Sequence, residues 1–273
     1  MKVALVQMNS INDKAANLEA ARSLIERAVE QERPDWICLP EVFDFMGGSR
    51  ADKFAAAETL PDGPAYALMQ TLARKHRVFI HAGSLLERIP EEERIANTTL
   101  AFDRNGREIA RYRKIHLFDV TTPDGAEYRE SAVFRPGDAV VTYDCEGLTV
   151  GCSICYDLRF PALFQALAER GAQMIALPAA FTLQTGKDHW ETLCRARAIE
   201  TQVYFCAAAQ TGTFHDGKEM RATYGHSLVV DPWGHVVAKA SDGPGLAVAR
   251  IDAERVARVR RLIPVARHKA VFA

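Results

Sequence analysis

The run Leu148-Thr149-Val150-Gly151-Cys152-Ser153-Ile154-Cys155-Tyr156-Asp157-Leu158-Arg159-Phe160-Pro161 passes from an apolar strand through a polar bend into a helix that opens on Pro161 and stops at Gly171. A strand that turns directly into a helix presents a side chain at its carboxyl end, where α/β proteins place reactive groups. Cys155 sits in that bend. The Cys-x-x-Cys spacing with Cys152 also invites a redox or metal reading, but positions 152 and 155 differ by an odd number, so on an extended strand they face opposite sides. No second cysteine pair and no Cys/His partner at zinc spacing lies nearby. Cys155 therefore reads as a nucleophile, with a buried structural thiol as the main competing reading, and Cys152 reads as core.

Strands and helices alternate outward from this stretch in both directions. Short apolar runs at 3–6, 36–39, 78–80, 174–177 and 203–209 have the length and composition of buried strands. Helical spacing covers 13–31, with Asp13 placed to cap it, as well as 64–76 and 161–170. Asn105-Gly106 between 98–102 and 108–112, and Asp231-Pro232-Trp233-Gly234 between 227–230 and 235–238, add hairpins. The sheets are thus expected to be mixed. Loops are expected at 45–50 and 121–135, and the acidic run Glu91-Glu92-Glu93 reads as a solvated turn. No linker, repeat or low-complexity tract divides the chain, so one two-sheet α/β domain over 1–273 is the expectation.

Composition narrows the class of partner. In 273 residues, 48% hydrophobic and 25% charged, the pattern is that of a folded globular chain and excludes a disordered or collagen-like one. Lys and Arg number 34 against 35 Asp and Glu, so no basic excess invites nucleic acid or an acidic membrane. A small molecule is the expected partner. Six cysteines are too dilute for a disulfide scaffold and lie mostly in apolar runs, which fits reduced thiols in a cytoplasm. The first seven residues hold too short an apolar stretch for a signal peptide, and no run approaches the ~18 apolar residues of a membrane helix.

A thiol nucleophile needs a proton acceptor and a group that stabilises developing negative charge. Leu39-Pro40-Glu41 and Tyr112-Arg113-Lys114 each end an apolar or alternating strand in a charge. Read alone, Glu41 is a surface or capping acid and Lys114 a solvated edge. Read together, an acid, an ammonium and a thiol at the carboxyl ends of three strands make a shared site. Glu41 would take the thiol proton and later protonate the departing amine. Lys114 and the backbone N–H of Tyr156 would hold the oxyanion.

Glu41, Lys114 and Cys155, in this order, resemble the carbon-nitrogen hydrolase, or nitrilase, superfamily over essentially the whole chain. The resemblance implies a four-layer α-β-β-α sandwich that dimerises through paired helices, amide hydrolysis through a thioester, and no cofactor or metal. It also implies a second active-site glutamate, which maps onto Glu130, with nearby Glu127 the other candidate. Cys155 to Pro161, His189-Trp190, Arg195 to Gln202 and Tyr224 to Gly234 resemble the subgroup that splits a glutathione whose amino group is replaced by a keto group, giving 2-oxoglutarate and Cys-Gly. The relatives that hydrolyse 2-oxoglutaramate are similar but match these stretches less well.

Arg159 can offer its fork to a substrate carboxylate, or else pair with Asp157. In the subgroup Phe181 and Thr185 look like pocket residues, beside Thr182 and His189, where the alternatives are a packed aromatic and a helix cap. His116 and His226 leave a Cys–His arrangement as the rival mechanism. A partner-binding scaffold without activity is the rival function.

Overall fold

The computed structural model describes residues 1–122, 125 and 127–270. Each apolar run named above becomes a strand within a residue or two of its expected ends, and the reason lies in the side-chain alternation. In Lys2–Gln7, Val3 and Leu5 face one side and Ala4 and Val6 the other, while next to them Trp36 and Cys38 oppose Ile37 and Leu39. All eight are fully buried. A strand that is apolar on both faces needs cover on both. Helices Lys14–Glu32 and Pro64–His76 cover one face through Ile25, Ala28, Met69 and Leu72. A second sheet covers the other, and burying a side chain such as Leu5 between the two contributes roughly 1.5–3 kcal/mol.

The two sheets share a plan. In the first, Lys2–Gln7, Trp36–Cys38 and Phe79–His81 run parallel, Gly245–Arg250 pairs antiparallel with Lys2–Gln7, and Ala96–Phe102 joins Phe79–His81 antiparallel. Leu85–Glu87 and Glu108–Arg113 then pair with Ala96–Phe102. In the second, Leu148–Cys152, Met174–Ala179 and Tyr204–Ala209 run parallel between antiparallel Thr142–Cys145 and Leu228–Val230, with Val236–Lys239 at the edge. Helices Pro161–Glu169 and Leu183–Thr201 cover its outer face through Phe164, Leu167, Trp190, Cys194 and Ala198. The layers are helix, sheet, sheet, helix, and both sheets are mixed. Across the middle, Trp36 Nε1 donates to Tyr143 Oη at 2.9 Å and His81 Nδ1 meets the same hydroxyl at 3.2 Å. Burial pushes His81 down to about 3, so this link stays neutral.

Local signals explain the boundaries. Asp13 accepts from the Ala16 N–H at 3.0 Å, as a cap should, and Pro161 opens its helix. The loop expected at 45–50 holds over 45–49, and the one expected at 121–135 needs correction. The stretch 45–50 ends in a helix, Arg50–Ala56, that starts on a Ser49/Asp52 capping box. Of 121–135, residues 123, 124 and 126 lie outside the described residues, and part of the rest pairs as a hairpin, Asp119–Thr121 with Glu127–Arg129, followed by a 3-10 turn at Glu130–Ala132. A second small hairpin, Thr211–His215 with Met220–Tyr224, stands beside it at the carboxyl ends of the parallel strands.

Candidate active site

Past Cys152 the chain stays extended through Ile154 and then reverses hand, because Cys155 takes φ +44° before the 3-10 turn Cys155–Arg159. A non-glycine residue there costs on the order of 1–3 kcal/mol and needs outside support. Asp157, fully buried, supplies it. Its Oδ2 accepts from the Ile154 N–H at 2.8 Å and Tyr112 Oη at 2.6 Å, and its Oδ1 accepts from the His116 N–H at 3.1 Å and His116 Nδ1 at 2.7 Å. The His116 ring stacks on Phe160 at 3.7 Å. One carboxylate thereby ties the cysteine turn to the segment that carries Lys114.

Glu41 follows Trp36–Cys38 on a backbone pressed against residues 81–84. Gly83, at φ +50°, lies so close that a Cβ would sit 2.1 Å from the Pro40 carbonyl. Gln210 Nε2 donates to the Glu41 carbonyl at 2.9 Å, which ties this loop to the end of Tyr204–Ala209. Lys114 continues Glu108–Arg113, its N–H bonded to the Asn97 carbonyl at 2.9 Å. Its Nζ donates at 2.9 Å to Glu41 Oε1 and to both oxygens of Glu130. Asn97 Nδ2 donates to the same Glu41 Oε1 at 2.9 Å, and Glu130 Oε2 also accepts the Phe118 N–H at 2.5 Å. Glu127, the other candidate, is largely exposed and lies 3.9 Å from Arg129 instead of reaching Lys114.

Burial sets the electrostatics. It pulls Lys114 down, but Glu130 and then Glu41 outweigh it and hold the ammonium well above its ordinary value. Burial raises the Glu130 carboxyl against the pull of Lys114. Burial also raises the Cys155 thiol well above the usual range, with the Glu41 charge adding to the rise and Lys114 and the Ala180 backbone opposing it. The thiol is therefore protonated at rest, and attack on a carbonyl must be coupled to proton transfer. Glu41, the carboxylate next to it, is the group in place to accept.

These side chains open on a cavity of about 300 Å³, at the small end of ligand pockets. Of the residues singled out from the sequence, Glu41, Lys114, Glu130, Cys155, Tyr156, Arg159, Phe181 and Thr185 line it, as do Glu127 and Thr182, whereas His189 does not. Tyr156 packs edge-on between Phe118 and Phe160. Arg159 lies over the Phe181 ring at 5.6 Å with Nη2 3.3 Å from His189 Nδ1, and Asp157, its alternative partner, is committed elsewhere. Among the described residues Arg159 has no ion-pair partner. Thr182 caps helix Leu183–Thr201, and its hydroxyl meets that of Thr185 at 2.8 Å. His116 and His226 do not line the cavity, and His226 is held by the Tyr224 carbonyl and ring.

Sequence reasoning passed over Asn97, Gln210, Lys53 and the structural use of Asp157. Asn97 lies in a strand that is otherwise apolar or hydroxylic, which was the one readable signal. Among the described residues no group of three or more His, Cys, Asp or Glu side chains is placed to hold a metal ion, and no helix is long and apolar enough to cross a membrane.

The arrangement of acid, ammonium and thiol at strand ends in this sandwich has counterparts among known proteins. The sequence pattern that defines carbon-nitrogen hydrolases matches residues 2–261. The chain belongs to the carbon-nitrogen hydrolase family. A deaminated glutathione amidase of Synechocystis sp. is 42% identical over 270 residues, covering 97% of each chain. The crystal structure of the Caenorhabditis elegans NitFhit protein superposes with a TM-score of 0.90 at 41% identity, covering 98% of this chain and 64% of that one, so this carbon-nitrogen hydrolase spans under two thirds of that fusion protein. An amidase from Nesterenkonia sp. AN1, solved with acrylamide added at its active-site cysteine, matches at a TM-score of 0.75 and 26% identity over 97% of this chain and 98% of its own. The family and these amidase relatives make the chain an amidase, and its layered fold is theirs.

Proposed function

We propose that this carbon-nitrogen hydrolase cleaves deaminated glutathione, with Cys155 as nucleophile, Glu41 as general acid and base, Lys114 as oxyanion donor and Glu130 as the group that holds Lys114. The observation that carries the reading is a cavity in which the Lys114 ammonium bridges Glu41 and Glu130 beside the buried Cys155 thiol. The thiol proton passes to Glu41 as sulfur attacks the amide carbon. The oxyanion that forms meets Lys114 Nζ and the Tyr156 N–H. Collapse breaks the C–N bond, Glu41 returns the proton to the amine, and Cys-Gly leaves. Glu41 then takes a proton from water, the hydroxide cleaves the thioester, and 2-oxoglutarate departs with the thiol restored.

Arg159, which has no acidic partner among the described residues, suits the carboxylate next to the keto group, with Phe181 and Thr185 on the same wall. The name of the Synechocystis relative supports the substrate, and the unbroken family match supports one domain over the chain. Six free buried thiols support a reducing compartment such as the cytoplasm. Exposed Ile199, Trp233 and Leu262 near helix Leu183–Thr201 support a homodimer.

Chromatography of both products from keto-glutathione tests the substrate. Equimolar 2-oxoglutarate and Cys-Gly are expected, whereas faster ammonia release from 2-oxoglutaramate would assign the chain to that smaller amide instead.

A further inference from the structure

The cavity has a further cation that the reaction leaves idle. Lys53, on helix Arg50–Ala56, lines it from the side of the loop that follows Glu41, whereas Arg159 and Phe181 line it from the ends of second-sheet strands. One proton of its ammonium goes to the Gly48 carbonyl at 2.8 Å. No carboxylate lies within ion-pair distance of it among the described residues. Asp216, the acidic residue that shares this wall, is already engaged: its Oδ1 accepts the N–H groups of Lys218 and Glu219, and its Oδ2 accepts Arg221 Nε at 2.8 Å. Arg129, the other cation nearby, is more exposed and sits 3.9 Å from Glu127. Burial lowers the Lys53 pKa, with Asp216 and Asp52 only partly offsetting it, as befits a charge that lacks its counterion.

Two cations without counterions, entering one cavity from different sides, match a ligand with two anionic ends. We propose that Lys53 anchors a carboxylate on the leaving half of the substrate, so that the enzyme selects amides carrying an anion on each side of the scissile C–N bond. The inference rests on the function proposed above and adds to it the residue that separates a dipeptide leaving group from ammonia. Gly48 helps by holding the ammonium with one bond, which leaves two donors for the ligand.

The test uses keto-glutathione and 2-oxoglutaramate, which share an acyl half and differ in the leaving half. In Lys53→Met the ratio of kcat/KM for keto-glutathione to that for 2-oxoglutaramate should fall roughly 10- to 100-fold, mainly through KM, the loss expected for one charge-assisted hydrogen bond. Lys53→Arg should restore most of the ratio, and keto-glutathione with its glycine carboxylate amidated should show little dependence on residue 53. A ratio unchanged in Lys53→Met overturns the anchor while leaving the amidase reading intact. Absence of keto-glutathione turnover in the wild type overturns that reading, and the anchor with it.

Discussion

Two buried clusters in this molecule have the same composition, one lysine between two carboxylates, and they stand at either end of one loop. At the first, Lys114 joins Glu41 and Glu130. At the second, Lys14 Nζ lies 2.7 Å from Glu58 Oε1 and 3.1 Å from Asp44 Oδ2, and donates to the Ala56 carbonyl at 2.6 Å. Glu41 and Asp44 are three residues apart. What separates the clusters is where their remaining lone pairs and protons go. Glu58 gives Oε1 to the Ala65 N–H and Oε2 to the Tyr66 N–H, capping helix Pro64–His76, whose glycine N-cap has no side chain to do so. The second cluster is thus spent on backbone. The first keeps a carboxylate beside a thiol and faces a cavity, so its charges can respond to a ligand. Residue types alone do not make a reactive site; uncommitted hydrogen-bonding capacity at a cavity wall does.

Removing the thiol is the most severe test of that contrast. Cys155→Ala should abolish amide turnover, because the variant loses the thiol proposed to form the acyl intermediate. Residual hydrolysis by the purified variant, followed by product chromatography, would return Cys155 to the structural reading. Next comes Glu41→Gln, for which two readouts should move in opposite directions. Hydrolysis should drop by about 10²–10⁴ with loss of the proposed general acid and base. Iodoacetamide alkylation of Cys155 should titrate at lower pH, because the Glu41 charge is one of the causes that raise the thiol. Alkylation that shifts to higher pH would mean that Glu41 favours the thiolate and would contradict the electrostatic account.

The two lysines then test the clusters directly. Lys114→Met should slow acylation by about 10²–10³, the usual effect of losing an oxyanion donor, the role proposed for it above. Lys14→Met should leave turnover per folded molecule nearly intact and cost about 3–5 kcal/mol of stability in urea melts, since two buried carboxylates lose their cation. Comparable loss of turnover in folded Lys14→Met would erase the distinction between the clusters.

How much of this was open to a reader of the sequence depends on range. The alternation of Val3, Ala4, Leu5 and Val6, repeated in residues 36–39, is a local pattern that demands cover on both faces, and so the layered fold was legible. The bend at Cys155 was legible because a strand runs straight into Pro161. The Ser49/Asp52 capping box was present in the sequence but went unread. Glu130 and Glu127 could not be told apart, because which of them reaches Lys114 depends on a hairpin and a 3-10 turn. Asp157 looked like a partner for neighbouring Arg159, whereas it bonds Tyr112 and His116, more than 40 residues away along the chain. Lys53 carried no signal at all, since its importance lies in the absence of a counterion in space.

The smallest effect expected is also the one that separates the clusters most cleanly by pH. Asp44 is fully buried, and burial pushes its carboxyl from an ordinary 3.8 up to about 6, with Lys14 and the Leu86 backbone N–H opposing the rise and Glu58 adding to it. A carboxyl raised in the folded state binds its proton there more tightly than in the unfolded chain. Its ionisation therefore costs stability: the penalty is absent below about pH 4, grows as pH rises through the interval from about 4 to 6, and is constant above it. A rise of about two units at about 1.4 kcal/mol each makes the full penalty on the order of 3 kcal/mol. Asp44→Asn keeps the shape, removes the titration and leaves Lys14 paired with Glu58. Urea melts of the wild type and Asp44→Asn at pH 5 and pH 7.5 should show the variant gaining on the wild type by about 1–2 kcal/mol at the higher pH, since part of the penalty is already present at pH 5. A difference that does not change with pH, or that turns against the variant, would show that Lys14 compensates Asp44 fully, and the second cluster would then be a closed ion pair that costs the fold nothing.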